Sequence, residues 1–476
     1  SIGKFGGDTD NWIWPRHTGD FSMFRVYASK DNRPAAYSPQ NVPYRPKKHF
    51  SISTKGVKEG DFTMIYGFPG NTQEYILSDA VAYIAERSDP AKIAIRTGRL
   101  DIITKAQESD PALRIHYAAK HASIANAWKK WQGEALGIDR RGTVAAKFDY
   151  ETQFGLWSVG RPEYAGVVMG LRVEYDRIMD AYFAYEITRE TLSTLPAAYT
   201  PEERAEECFA RRKFAEQALW RHAFREYGRC PKVYRTPSYA EGMARYKSPE
   251  AYADALFEAV WEGSDSVAMQ PAVRLREETK RMLDHISWML GTKSLRNLNS
   301  KILNELYTTY IKGLREWDRE RAFYPDANLT LRVAYGSVAG YEYADGEYHK
   351  PQTTLDGIIA KDNPEIYDYD IPQSLRDLYA SKNYGRWGTV IDGRRTVPVC
   401  FLATNHTTGG NSGSPVLNAG GELIGINFDR TWRSTMSDLQ FDPAICRNIA
   451  VDIRYVLFTI DRIGGAGHLL KEMELR

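Results

Sequence analysis

What most constrains this chain is the order of its textures: short β-like runs, then a long helical stretch, then β-like runs again. "DFSMFRVYA" (20–28) and "DFTMIYGFPG" (61–70) are apolar, aromatic-rich and closed by turn formers, the pattern of strands. From about 81 to 325 the pattern is helical. "EERAEECFARRKFAEQALWRHAFREYG" (202–228), "PAVRLREETKRMLDHISWMLG" (271–291) and "SLRNLNSKILNELYTTYIKGLREWD" (294–318) place apolar residues every three or four positions, with charges between. Ser248-Pro249-Glu250 reads as a helix start and Gly291 as a stop. "NLTLRVAYGSVAGYEY" (328–343), "VPVCFLAT" (397–404) and "GELIGINFD" (421–429) then predict strands, and an amphipathic helix is expected from about Asp452 into the C-terminus. Strands on either side of an insertion can pair with each other, so a β domain interrupted by helices is the economical arrangement. Its parts are 1–80, 81–325 and 326–476; 476 residues exceed one compact core, and no fixed repeat suggests a solenoid.

Charge and composition narrow the function classes. A formal net charge of +2 gives no basic surface for nucleic acid. No apolar run approaches the roughly 20 residues that cross a bilayer. Abundant Tyr and Trp suit a protein that binds peptides or sugars. The four cysteines, Cys208, Cys230, Cys400 and Cys446, form no CxxC pair and have no histidine at zinc-finger spacing, so no metal is expected, and no cofactor either. Their number allows disulfides Cys208–Cys230 and Cys400–Cys446, or four free buried thiols. The chain opens at Ser1 without a signal peptide, and "SIGKFGGDTDNW" reads like the middle of a domain, so a segment before Ser1 is expected.

Chemistry concentrates in "TTGGNSGSPVLN" (407–418), where Ser412 sits among three glycines and a proline. Such a stretch is either a nucleophile on a tight turn with backbone N–H groups beside it, or a surface hairpin of ordinary turn residues. The strand "LIGINFDR" (423–430) follows and can line a peptide. In "GGDTDNWIWPRHTGDFSMFRVY" (6–27), Asp20 opens the expected strand, as a carboxylate that orients a histidine or as a turn cap.

These two stretches, with "YAAKHASIANAWKKW" (117–131), "YPDANLTLRVAYG" (324–336) and "NHTTGGNSGSPVLNAGGELIGINFDR" (405–430), resemble the bacterial dipeptidyl-peptidases 7 and 11. The resemblance spans the chain. It implies a chymotrypsin-like double β-barrel with a large inserted all-α domain that acts as a lid, in a serine exopeptidase that releases dipeptides from free N-termini. It implies Ser412 as nucleophile, Asp20 as the triad aspartate, and the N–H groups of Gly410 and Ser412 as the oxyanion hole. Asn11, Trp12, Asn126 and Asp429 would hold the substrate's α-ammonium, whose three donors suit a carboxylate, amide oxygens and an aromatic face. Arg430 resembles the residue that selects Asp or Glu at the penultimate position, with Arg433 close enough in sequence to share the task.

The family's triad histidine lies in an "NHHCG"-like stretch upstream of the aspartate, and this chain has none. His17 and His406 are the histidines nearest the site motifs, and neither resembles that base. The expectation is that the histidine resides in a segment missing before Ser1 and that this chain alone is inactive. Two other readings stand beside it: a non-catalytic peptide-binding protein, and a chymotrypsin-like endopeptidase whose helices are only an insertion. The resemblance implies a periplasmic or cell-surface location in a Gram-negative bacterium and peptides with a free N-terminus as partners. It leaves the oligomeric state open, a homodimer included.

Overall fold

The computed structural model describes residues 2–263, 267–291 and 300–476. It divides into two compact units, one of residues 1–74 and 326–476, the other of residues 75–325.

The first unit is built on a seven-stranded antiparallel sheet. Its strands are β1 (Phe62–Gly67), β2 (Arg332–Ser337), β3 (Gln352–Thr354), β4 (Pro398–Ala403), β5 (Ser414–Leu417), β6 (Leu423–Arg430) and β7 (Asn448–Asp452). They lie in the order β2-β1-β5-β6-β7-β4-β3. A bridge between Val338 and Ala403 joins the β2 end back to β4, and the Thr404 N–H donates to the Ser337 carbonyl at 2.9 Å. Six strands therefore curl into a closed ring, which removes the open edge of a flat sheet. Val57, Ile65, Phe401, Val416, Ile424 and Ala450 form one buried cluster that fills it. β1 alternates, with Thr63, Ile65 and Gly67 buried and Phe62 and Tyr66 facing out.

The runs 61–70, 397–404 and 421–429 become β1, β4 and β6, but other β expectations need correction. Residues 20–28 yield only the two-residue strand Tyr27–Ala28, paired with Val42–Pro43, and Asp20 opens no strand. The reason is lack of a neighbour: Phe24 is 88% exposed and Val26 is exposed too, so their side chains gain nothing from a pleat. The run 328–343 divides into β2 and a separate hairpin, Tyr341–Ala344 with Glu347–His349.

The second unit is helical. Its long helices are α1 (Asp89–Ser109), α2 (Pro111–Arg140), α3 (Thr143–Ser158), α4 (Val167–Glu190), α5 (Lys213–Tyr227), α6 (Pro249–Glu262), α7 (Gln270–Leu290) and α8 (Lys301–Trp317). Side-chain oxygens of Asp110, Ser248 and Ser300 accept from the first-turn N–H groups of α2, α6 and α8. Gly291 ends α7 at φ 65°. Leu100, Ile103, Tyr117, Ile124 and Leu219 form a buried cluster where α1, α2 and α5 meet.

Here too the sequence expectation is corrected. The run 202–228 is not one helix but Pro201–Ala205 and α5, separated by an irregular turn and a short 3-10 segment. At the break Phe209 stacks on Trp261 with ring centroids 4.2 Å apart, a contact a straight helix would not reach. Of the expected 294–318 helix, residues 294–299 lie outside the described ones. The C-terminal helix is short: α9 (Ile453–Phe458), capped by Asp452, gives way to a wider π-helical turn (Thr459–Ile463) and the Gly464-Gly465 pair. All six residues of α9 are buried over β4, β6 and β7. The four thiols are free, with Cys230, Cys400 and Cys446 buried and Cys208 half-buried; neither proposed disulfide forms.

Candidate active site

The loop before β5 owes its shape to its own small and amide residues. The Asn411 side-chain oxygen accepts from the Thr408 N–H at 3.1 Å, and the Asn411 N–H returns a bond to the Thr408 carbonyl at 3.1 Å. Asn427 on β6 donates its amide to the Asn411 carbonyl at 3.2 Å, and Asn448 on β7 donates to Asn427 at 2.9 Å. These buried amides tie the loop to two strands. Gly410 adopts φ 105°, and a Cβ there would collide with the Phe68 carbonyl oxygen, so glycine is required on both counts.

Ser412 projects from this loop into solvent, and its Oγ donates to the Phe428 carbonyl at 3.3 Å. The N–H groups on either side of the loop are satisfied: Asn411 bonds to Thr408, Gly413 to the Asn427 carbonyl at 2.8 Å, and Ser414 to the Asn411 carbonyl at 3.0 Å. Among the described residues, the N–H groups of Gly410 and Ser412 have no acceptor within the chain. Exposed donors beside a hydroxyl are what an oxyanion needs.

At the end of β6, Asp429 is the centre of a charged cluster. Its Oδ2 accepts from the Trp12 N–H at 3.1 Å and from Arg16 Nη1 at 2.7 Å, and its Oδ1 accepts from the Arg430 N–H at 2.8 Å. Trp12 reaches it through a left-handed backbone, φ 68°, which a bulky residue rarely adopts. Asn11 is the half-buried neighbour of Trp12. Arg16 is buried, donates also to Thr18 Oγ1 at 2.6 Å and the Asp10 carbonyl at 2.7 Å, and lies over the Phe428 ring. Asp20 is exposed; the protein packed around its carboxyl raises its pKa above the ordinary value, Arg16 opposes that, and Asp429 adds to it.

Arg430 points the other way and is only 4% exposed. Its Nη1 and Nη2 meet the two oxygens of Asp438 at 2.6 and 2.8 Å, a bidentate pair. Nη1 also donates to Ser437 Oγ at 2.8 Å and to the Thr407 carbonyl at 3.2 Å, and the guanidinium sits 5.5 Å from the centre of the Trp12 ring. Arg433, expected to share its role, stacks on Tyr343 at 3.8 Å and reaches Glu347 at 3.6 Å, on the side of the 341–349 hairpin. Asn126 is exposed on α2 in the helical unit.

Of the two histidines of the site motifs, His406 has polar partners of its own and His17 is buried with its Nδ1 unpartnered among the described residues. His406 faces the Ser437 carbonyl at 3.0 Å and Glu74 at 3.2 Å with its two nitrogens and stacks on Phe441. His17 is buried against Gly357. Burial lowers both to about 4, helped at His17 by Lys361 and Arg16 and at His406 by Arg430, with Asp438 opposing. Two residues that the motifs did not mark, Arg16 and Asp438, hold the charges of the site. Arg16 lies within the quoted 6–27 stretch, and Asp438 lies eight residues past Arg430, so an acid following a strand-end arginine was the available sign.

Comparison with known proteins identifies the family. An Asp/Glu-specific dipeptidyl-peptidase of Capnocytophaga gingivalis is 42% identical over 521 aligned positions, covering 100% of this chain and 72% of that protein. A dipeptidyl-peptidase 7 of Phocaeicola vulgatus is 34% identical, over 100% of this chain and 71% of its own length. The crystal structure of Porphyromonas endodontalis DPP11 in complex with the dipeptide Arg-Glu superposes with a TM-score of 0.83 at 34% identity, over 100% of this chain and 73% of that one. The Peptidase S46 profile matches residues 1–202 and 202–475, and on these grounds the chain belongs to the Peptidase S46 family.

Proposed function

We propose that this protein releases dipeptides from the free N-terminus of peptides by serine chemistry, with a preference for Asp or Glu at the penultimate position. The observation that carries the reading is the sequence of groups along one edge of the ring: Ser412 with two unsatisfied N–H groups, then Asp429 and Arg430 at the end of the adjoining strand. In this reading Ser412 Oγ attacks the carbonyl carbon of the second residue. The carbonyl oxygen takes up negative charge against the N–H groups of Gly410 and Ser412, and the amine of the third residue departs with a proton. Water then hydrolyses the acyl-serine to free the dipeptide. Asp20 has the triad carboxylate's role, and the base is assigned to neither His17 nor His406, whose surroundings hold them elsewhere.

The α-ammonium is assigned to Asp429 with Asn11 and Trp12. Arg16 already faces Asp429, so the ammonium would share a carboxylate with a guanidinium rather than meet it alone. Arg430 is assigned to the penultimate carboxylate. It is already neutralised by Asp438, so the preference is expected to be worth one charge-assisted hydrogen bond, about 1.5–3 kcal/mol or roughly ten- to a hundredfold in kcat/KM. The implied double barrel, inserted helical domain and periplasmic or surface location belong to the same proposal.

The test is kcat/KM on peptides carrying Asp, Glu, Leu or Phe second, each with a free and an acetylated N-terminus. Free-amine acidic peptides should be cut best, and Ser412→Ala should abolish cleavage. Equal cleavage of acetylated and free substrates would instead make the protein an endopeptidase. Binding of acidic dipeptides without turnover would favour the peptide-binding reading.

A further inference from the structure

The helical unit carries a cluster that peptide cleavage does not use. Its members are His116 on α2 and Glu206 and Cys208 in the turn that interrupts the 202–228 run. Their ligating atoms form a nearly equilateral triangle: His116 Nδ1 to Glu206 Oε2 3.6 Å, His116 Nδ1 to Cys208 Sγ 3.7 Å, and Cys208 Sγ to Glu206 Oε2 3.8 Å. A tetrahedral zinc ion, with bonds of about 2.0–2.1 Å to nitrogen, 2.0–2.2 Å to oxygen and 2.3 Å to sulfur, spaces such atoms roughly 3.3–3.6 Å apart. The triangle need contract by only a few tenths of an ångström.

We infer that His116, Glu206 and Cys208 form a zinc-binding site with its fourth position open to water. The donor set selects the ion: a thiolate and an imidazole favour zinc over magnesium or calcium, which take oxygen ligands. Charge agrees, because the Cys208 thiolate and Glu206 carboxylate together neutralise a divalent cation. Access agrees as well, since Glu206 is exposed and the other two are half-buried. The break in the 202–228 run brings Glu206 and Cys208 to a common point, because in a continuous helix side chains two positions apart point about 200° apart.

Arg212 opposes the ion. Its Nη1 donates to His116 Nε2 at 2.8 Å and lies 3.4 Å from Glu206 Oε2. With Nε2 accepting, the neutral imidazole carries its hydrogen on Nδ1, the atom the ion needs. Binding therefore moves that hydrogen to Nε2, turns Arg212 away, and releases the thiol proton to solvent. The balance is one zinc ion bound and one proton set free per site.

The experiment titrates the reduced, chelator-treated full chain with Co²⁺ and then Zn²⁺. The expected result is a near-ultraviolet thiolate-to-cobalt charge-transfer band that saturates at one equivalent and is displaced by one equivalent of Zn²⁺. Cys208→Ser should lose the band, and Cys230→Ala, which changes a buried thiol elsewhere, should keep it. His116→Gln and Glu206→Gln should each weaken Zn²⁺ at least tenfold. Calorimetry in buffers of different ionisation enthalpy should read release of about one proton. Arg212→Gln should bind Zn²⁺ more tightly than the unaltered chain. Far-ultraviolet circular dichroism checks that each variant is folded. The inference is overturned by absence of the band in the unaltered chain, by its persistence in folded Cys208→Ser, or by binding without proton release.

Discussion

The pair between Arg430 and Asp438 yields the most demanding prediction, because it separates what a residue does for the fold from what it does for substrate. The side chains are 5% and 13% exposed and meet in two bonds, so neither charge has much water to fall back on. Asp438→Ala leaves the guanidinium with Ser437 Oγ and the Thr407 carbonyl, neutral acceptors that only partly replace a carboxylate. Removing one partner of a buried pair costs on the order of 3–5 kcal/mol, and Arg430→Met should cost a similar amount by stranding Asp438. The double variant should be no less stable than the worse single one, which corresponds to a coupling of at least about 3 kcal/mol. Urea unfolding at neutral pH measures all four corners of the cycle. Asp438→Asn adds the functional arm: by removing a negative charge beside Arg430, it should maintain or raise the preference for acidic peptides, whereas Arg430→Gly should erase it. If Asp438→Ala lies within about 0.5 kcal/mol of the unaltered protein, or the two single changes simply add, the pair is not the buried unit described.

Asp429→Ala should destabilise as well as raise KM, because it strands buried Arg16; Asp429→Asn, which keeps an acceptor, should raise KM with a smaller loss of unfolding free energy. Gly410→Ala should lower kcat by roughly a hundredfold or more if the loop's N–H groups serve an oxyanion, and a circular dichroism spectrum unlike the parent's would assign the loss to folding instead. His17 and His406 have folded-state values near 4, below the ordinary 6.5, so between those limits the unfolded chain binds more protons and stability should fall as the pH drops. Each contributes on the order of 3 kcal/mol across that window, and His406→Gln should flatten the slope of urea midpoint against pH between 6.5 and 4.

What was legible in the sequence was what neighbouring residues decide. Apolar spacing with Ser248 and Gly291 at the ends marks α6 and α7, because caps and periodicity are local. The break at 206–209 was not legible, since it depends on Phe209 meeting Trp261 and on Arg212 burying itself beside Phe209 and Tyr199. Residues 20–28 have strand-like composition, but a strand also needs a partner, and composition cannot supply one. At the site, the turn around Ser412 and the Asp429-Arg430 pair were visible as motifs. That Asp429 is matched to Arg16, 413 positions away, was not. Cysteine counting left two bridges or four free thiols open, and the folded chain keeps four free thiols.

The placement of β1 between β2 and β5 has a consequence for biogenesis. β1 is complete at residue 67, yet one neighbour begins at 332 and the other ends at 417. At roughly 5–20 residues per second on a ribosome, the strand waits about 20–70 s for its second neighbour. Until β2 is made, the outward Phe62 and Tyr66 and the inward Ile65 have no strand to pair with. The helical unit, by contrast, is a single continuous segment whose contacts are complete by residue 325. Nascent chains halted near residue 330 should therefore show protease-resistant helices beside a protease-sensitive N-terminal arm. Substitutions that weaken β2 should lower the yield of soluble protein more than equal losses of equilibrium stability within the helices, because an unpaired apolar strand is the segment most exposed to aggregation.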